Sequence, residues 1–190
     1  MSYPTDPEFE AIDVRLNYNN VRSQTRSGRT QVRNIGAALW SFTAKYSTLT
    51  RAQMAPIYAF LAGKQGGTSS FSITPPVISD STGNATGTLR VNGAHSAGDN
   101  TVAMDGISGT VKAGDFIKFA DHTKVYMVVS DFTASGTMTI EPALHEAVAD
   151  NAVVTFNSVP FTMRVARDVQ QFKLSGYEQY DLQVDFVEAI

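Results

Sequence analysis

The sequence predicts a mainly β protein: a β-sandwich or barrel outer domain with one α-helix, interrupted by an inserted small β-barrel-like module. Three observations predict it. Both ends of the chain alternate apolar and polar residues with period two, the mark of half-buried strands. One stretch, LTRAQMAPIYAFLAGKQGGTSSFSI, residues 49–73, combines helical spacing with a glycine stop. Between Pro76 and Pro160 the texture shifts to short apolar pulses separated by Gly, Ser, Thr, Asn and Asp. The expected organisation is residues 1–76 plus 160–190 as the outer domain and 77–159 as the insertion.

Taken in order, residues 12–22 set Ile12, Val14, Leu16 and Tyr18 against Asp13, Arg15 and Asn17, one half-buried strand. RSQTRSGRTQVRN carries turn chemistry centred on Gly28 and predicts an arm or hairpin. Trp40, Phe42, Ala44 and Tyr46 alternate with Ser41, Thr43 and Lys45, a second strand.

A helix is then expected near residues 50–62. Thr50 and Gln53 have capping-box spacing, and Leu49 and Met54 stand where a hydrophobic staple packs. Met54, Ile57, Tyr58 and Leu61 form one stripe, and Gly63 is the expected stop. Pro56 is the misfit, because an interior proline costs ~3 kcal/mol. Either the first turn is irregular or the helix begins near Pro56.

FSITPP is a short strand ended by proline. Within the insertion, KAGDFIKFADHTKVYMVVSDF reads as a β-hairpin turning at Asp121–Thr123, and TMTIEPAL and AVVTF add two strands. Short strands at ~8–12-residue spacing fit a small barrel or sandwich. In the tail, Phe161, Met163 and Val165 alternate, as do Leu182, Val184 and Phe186.

The composition excludes several function classes. There is no cysteine, so a disulfide scaffold, a thiolate zinc site and a cysteine nucleophile are ruled out. The start, MSYPTDPEFEAID, is too polar and acidic for a secretory signal, and no apolar run approaches the ~18 residues of a membrane span. A net charge of −3 gives no global pull toward nucleic acid.

Charge is unevenly distributed. Between Asp13 and Asp80 there is no acid but eight bases: Arg15, Arg22, Arg26, Arg29, Arg33, Lys45, Arg51 and Lys64. The rest of the chain is strongly acidic. Two readings stay open. The strands of both parts can pack together and mix their charges, or the molecule is polar and stacks on copies of itself or on neighbours.

No catalytic motif is found. His95, His122 and His145 lie far apart in turn-like settings, which favours solvated loop histidines over a metal site. GKQGGTSS lacks phosphate-loop spacing, and there is no Gly-x-Ser-x-Gly, His-Glu-x-x-His or dinucleotide fingerprint. The expectation is no enzyme, no cofactor and no metal. Arg22, Arg26, Arg29 and Arg33 would form one basic face on a helix. Ser, Gly and Thr interrupt them, which favours an exposed arm. Few aromatics are interleaved for stacking on a single nucleic-acid strand. A protein contact suits them better, since Arg is enriched at interfaces.

SGRTQVRN, ALWSFTAKY and LTRAQMAPIYAFLAGKQGGTSSFSITPP together resemble tail-tip structural proteins of tailed bacteriophages, the distal tail or baseplate-hub adaptor type. VKAGDFIKFADHTKVYMVV and TIEPAL resemble segments common in phage tail proteins. The likeness is best over 22–76 and next over 111–142, and it lies in size and polarity rather than in reactive groups. It implies a structural virion protein of the tail, made in the host cytoplasm, with no catalytic residue. Such proteins form a ring, often a hexamer, between the tail tube and the hub or fibres. The expected subunit contact sets Arg22, Arg26, Arg29 and Arg33 against Asp181, Asp185 and Glu188 of the C-terminal strand, or against acids of another tail protein. No membrane and no specific nucleic-acid contact is expected. The alternatives are a head–tail connector or tail-terminator protein and, from another class, a carbohydrate-binding module that touches a host surface glycan.

Overall fold

The computed structural model describes residues 2–34, 36, 38–177 and 179–190. Its strands run β1 (Ala11–Asn17), β2 (Asn20–Gln24), β3 (Thr30–Asn34), β4 (Leu39–Lys45), β5 (Phe71–Ile73), β6 (Thr86–Val91), β7 (Thr101–Ser108) and β8 (Thr110–Val111). They continue with β9 (Phe116–Phe119), β10 (Tyr126–Val128), β11 (Phe132–Thr133), β12 (Gly136–Glu141), β13 (Val153–Thr155), β14 (Phe161–Val165), β15 (Phe172–Gly176) and β16 (Gln179–Glu188). One α-helix, α1 (Arg51–Gly63), follows β4, and a 3-10 turn spans Gly66–Thr68. The protein is therefore mainly β with one helix.

The described residues form two compact units. One comprises Tyr3–Ser70 and Arg164–Glu188; the other contains Phe71–Met163. This second unit starts and ends outside the expected 77–159 because β5 pairs antiparallel with β14, Phe161 opposite Ile73 and Met163 opposite Phe71.

In the first unit, β4 lies between β1 and β16 in antiparallel register, with Phe42 opposite both Val14 and Phe186. Alternation puts Trp40, Phe42, Ala44, Val184 and Phe186 on the buried face. Met54, Ile57 and Leu61 of α1 are buried too, so the stripe predicted for the helix is its core face. The capping box of Thr50 and Gln53 forms, with Thr50 N–H donating to Gln53 Oε1 at 3.0 Å. Pro56 lies inside the helix, which starts before it. Gly63 is its last residue, but the left-handed turn that redirects the chain falls on Gln65 and Gly66. The strand expected over 12–22 is two, since pairing with β4 stops at Asn17 and β2 begins a separate ribbon with β3.

In the second unit, six strands close a barrel in the order β10-β12-β7-β6-β13-β9. Leu89, Val102, Met104, Ile117, Phe119, Tyr126, Met138 and Ile140 fill it, all fully buried. Closure leaves no sheet edge to be capped. The bulge between β6 and β7 depends on glycine: Gly106 has φ +90, and a Cβ there would stand 2.4 Å from the Thr88 carbonyl oxygen.

Candidate functional site

The basic segment folds as a two-stranded ribbon exposed along its whole length. Its turn is closed by Thr25 N–H donating to the Arg29 carbonyl at 2.9 Å, with Gly28 at φ +83. Arg22 stands opposite Val32, and Val21 opposite Arg33. Directly opposed residues share a face and neighbours alternate. Arg22 and Arg33 therefore lie on opposite faces of the ribbon, each beside a valine, while Arg26 and Arg29 occupy the turn. The 4, 3, 4 spacing marks a hairpin, not a helical stripe.

The three candidate acids on β16 have different roles. Asp181 is exposed, opposite Lys173, and accepts a hydrogen bond from Ser175 Oγ. Asp185 is half-buried, accepts from Thr43 Oγ1 at 2.9 Å and pairs with Arg167 Nη2 at 3.0 Å. Glu188 corrects the expectation: it is 1 % exposed, and its Oε2 accepts the Trp40 N–H at 3.1 Å. Alternation along β16 explains this, for Leu182, Val184, Phe186 and Glu188 share the inward phase. Asp181 and Asp185 border a cleft of about 550 Å³ whose rim also holds Glu10, Arg167, Val169 and Phe172.

Sequence reasoning missed the apolar surface beside that cleft. Val169, Phe172, Leu174 and Tyr177 are exposed around the β15–β16 hairpin. The Phe172–Leu174 alternation was its signal, across a turn from Tyr180 and Leu182.

Elsewhere the polar groups are spent on structure. Asp115, nearly fully buried, accepts Thr82 N–H (2.9 Å), Thr82 Oγ1 (2.7 Å), Lys112 N–H (2.9 Å) and Ser81 Oγ. Desolvation pushes its carboxyl up, but these donors outweigh it and hold the pKa below the ordinary aspartate value. Burial pushes the Tyr3 hydroxyl far up, and that of its partner Tyr46 up to about 12. His122 is buried rather than solvated, its Nδ1 3.0 Å from Tyr126 Oη. His95 Nε2 accepts the Ala103 N–H at 3.0 Å, which leaves its proton on Nδ1 when neutral. Among the described residues no group of three His, Cys, Asp or Glu could hold a metal ion, and no helix is long and apolar enough to cross a membrane.

The two ends of the barrel module are tied together. Val159 N–H donates to the Ser79 carbonyl (3.0 Å), Ser158 N–H to Asp80 Oδ1 (2.9 Å), and Ser81 N–H to Asn157 Oδ1 (3.0 Å). The family model described as "Distal tail protein pb9, B domain" matches residues 79–159, the segment between these ties. Residues 79–159 are thus similar to a distal tail protein B domain. The match supports the resemblance to tailed-phage distal tail proteins, with a structural role in the tail of the virion. No curated protein matches the chain.

Proposed function

We propose that the protein is a non-enzymatic subunit of a closed ring at the distal end of a phage tail, joining the tail tube to the baseplate hub or fibres. The observation that carries this reading is the match of residues 79–159 to the distal tail protein B domain model. The fully exposed basic arm supports it as the element that reaches a neighbour. The partners are copies of the same chain, a hexamer by the family resemblance, together with adjoining tail proteins. No cofactor is required.

Glycan binding has little support from the barrel module. Its aromatic residues, Phe116, Phe119, Tyr126, Phe132 and Phe156, are all buried, which leaves no ring on which a sugar could stack. A head–tail connector has the family match against it.

The test is to label this protein in purified virions and image them. Label at the tail tip in a ring is the expected result, and label at the head–tail junction overturns it. Replacing Arg26 and Arg29 by Ala should reduce incorporation into particles and make it more sensitive to salt. Exposed ion pairs are worth only ~0–1 kcal/mol each, but they recur at every interface of a ring. Unchanged assembly would remove the arm from the interface.

A further inference from the structure

Two ribbons of the first unit have an edge with no strand beside it among the described residues. β2 and β3 pair only with each other, and β15 pairs only with β16. β2, β3 and β15 are five residues long apiece and exposed at every position. A free edge presents a row of backbone donors and acceptors to any strand that can lie beside it, and an isolated two-stranded ribbon is marginal in water.

Both ribbons also expose apolar side chains. Val21 and Val32 of the arm are 50 % and 56 % exposed. On the β15–β16 hairpin, Phe172 and Leu174 share a face with Tyr180 and Leu182. Tyr58 of α1 meets Phe172 edge-on at 5.0 Å and covers the base of that face. Its outer part stays bare, with Leu174 58 % and Tyr177 93 % exposed.

The charges are complementary. The arm carries four arginines and no acid, whereas residues 164–188 hold five acids against three bases. Asp181 sits on the hairpin itself, and Glu10 and Asp185 line the adjoining cleft.

We propose that the β2–β3 arm of one copy docks edge to edge on β15 of a second copy, adding two strands to the sheet beyond the β15–β16 hairpin. Val21 and Val32 face opposite sides of the arm, so one of them extends the apolar face of Leu174 in the joined sheet, and the arginines of the turn approach Asp181. Main-chain pairing supplies the affinity, and side chains on the two faces set the specificity. Donor and acceptor surfaces are different patches of the same chain, so the contact is heterologous. A heterologous contact closes into a ring where its rotation is a whole fraction of a turn and forms an open filament where it is not. The inference rests on the ring reading and names the surfaces that form it.

The cysteine-free chain makes a direct test available. Val32→Cys and Leu174→Cys are combined in one chain, assembled into tail particles and treated with a flexible bis-maleimide whose reach spans any register of the paired strands. Both positions are exposed, so the fold tolerates the change. The expected result is a ladder at successive multiples of the chain mass, while either single variant gives nothing beyond a dimer. Rings in the particles without a ladder overturn the arm docking and leave the ring reading intact. Particles that hold this protein outside any ring overturn both. As a second measurement, Val21→Asp with Val32→Asp should lower incorporation about ten-fold or more, since a charge is then driven into the apolar contact. Unchanged incorporation of that variant also overturns the docking.

Discussion

Burying a carboxylate is costly unless donors surround it, and Asp115 is surrounded by four. Ser81 and Thr82, more than thirty positions earlier in the chain, supply three of them, and Lys112 N–H supplies the fourth. Asp115→Ala would orphan these donors and should cost about 2–4 kcal/mol, read as a lower midpoint of unfolding for the barrel module. Asp115→Asn keeps one acceptor oxygen and should lose less. The carboxyl is held below its ordinary pKa, so its contribution is complete above the unfolded value near ~4 and is lost as pH falls through the depressed folded value. Thermal scans from pH 7 down to pH 3 should therefore show a steeper loss for the native chain than for Asp115→Asn; parallel curves would refute this role. In the sequence the Gly-Asp pair reads only as a turn, because its partners are distant. Glu188 is the opposite case. Its inward phase was already set by Leu182, Val184 and Phe186, so its burial was legible from β16 alone.

At the scale of elements, α1 was legible because its signals are local. The Thr50–Gln53 box and the Met54, Ile57, Leu61 stripe lie within a few turns and need no tertiary information. Its end was less legible, since Gln65, not a glycine, is the first residue to take a left-handed conformation. The break between β1 and β2 depends on where β4 stops pairing, which no local pattern states. Of the β15–β16 hairpin only β16 was legible, because β15 offers a single apolar alternation, Phe172–Leu174, too short to mark a strand. Pro56 gives this scale its prediction. A proline inside the helix removes the N–H that would bond the Ala52 carbonyl and crowds that turn, at ~3 kcal/mol. Both Ala52 and Pro56 face solvent, so Pro56→Ala disturbs no core packing. The gain is partly offset by the extra freedom of the unfolded chain, ~1 kcal/mol at most. A net gain of about 1–2 kcal/mol is expected from denaturant unfolding. A loss would mean that the proline is needed for the local shape of the helix.

At the scale of the molecule, the charge segregation read from the sequence separates a basic arm from an acidic barrel module. Residues 77–159 carry nine acids and four bases. The module also holds what an independent fold needs. Its barrel is closed, so every strand finds both neighbours inside it. Its core is fully buried, and the ties at Ser79, Asp80 and Asn157 join its two ends. Insertions of this kind are tolerated where the chain enters and leaves at neighbouring points. Residues 77–160 expressed alone should therefore fold as a β module with dispersed amide signals and a single cooperative transition. The pair of β5 with β14 is the cost of that cut, since Phe71–Ile73 is removed with the outer chain and Phe161 loses the strand opposite it. Phe116 packs edge-on to Phe161 at 5.3 Å, so a fragment ending at 160 exposes Phe116 and should be less stable than one spanning 71–163. The comparison separates three outcomes. If both fragments fold and the longer is more stable, the barrel is an autonomous insertion with β5 and β14 as its collar. If only the longer one folds, the collar is part of the cooperative unit. If neither folds, the barrel depends on the rest of the chain, and the insertion reading fails.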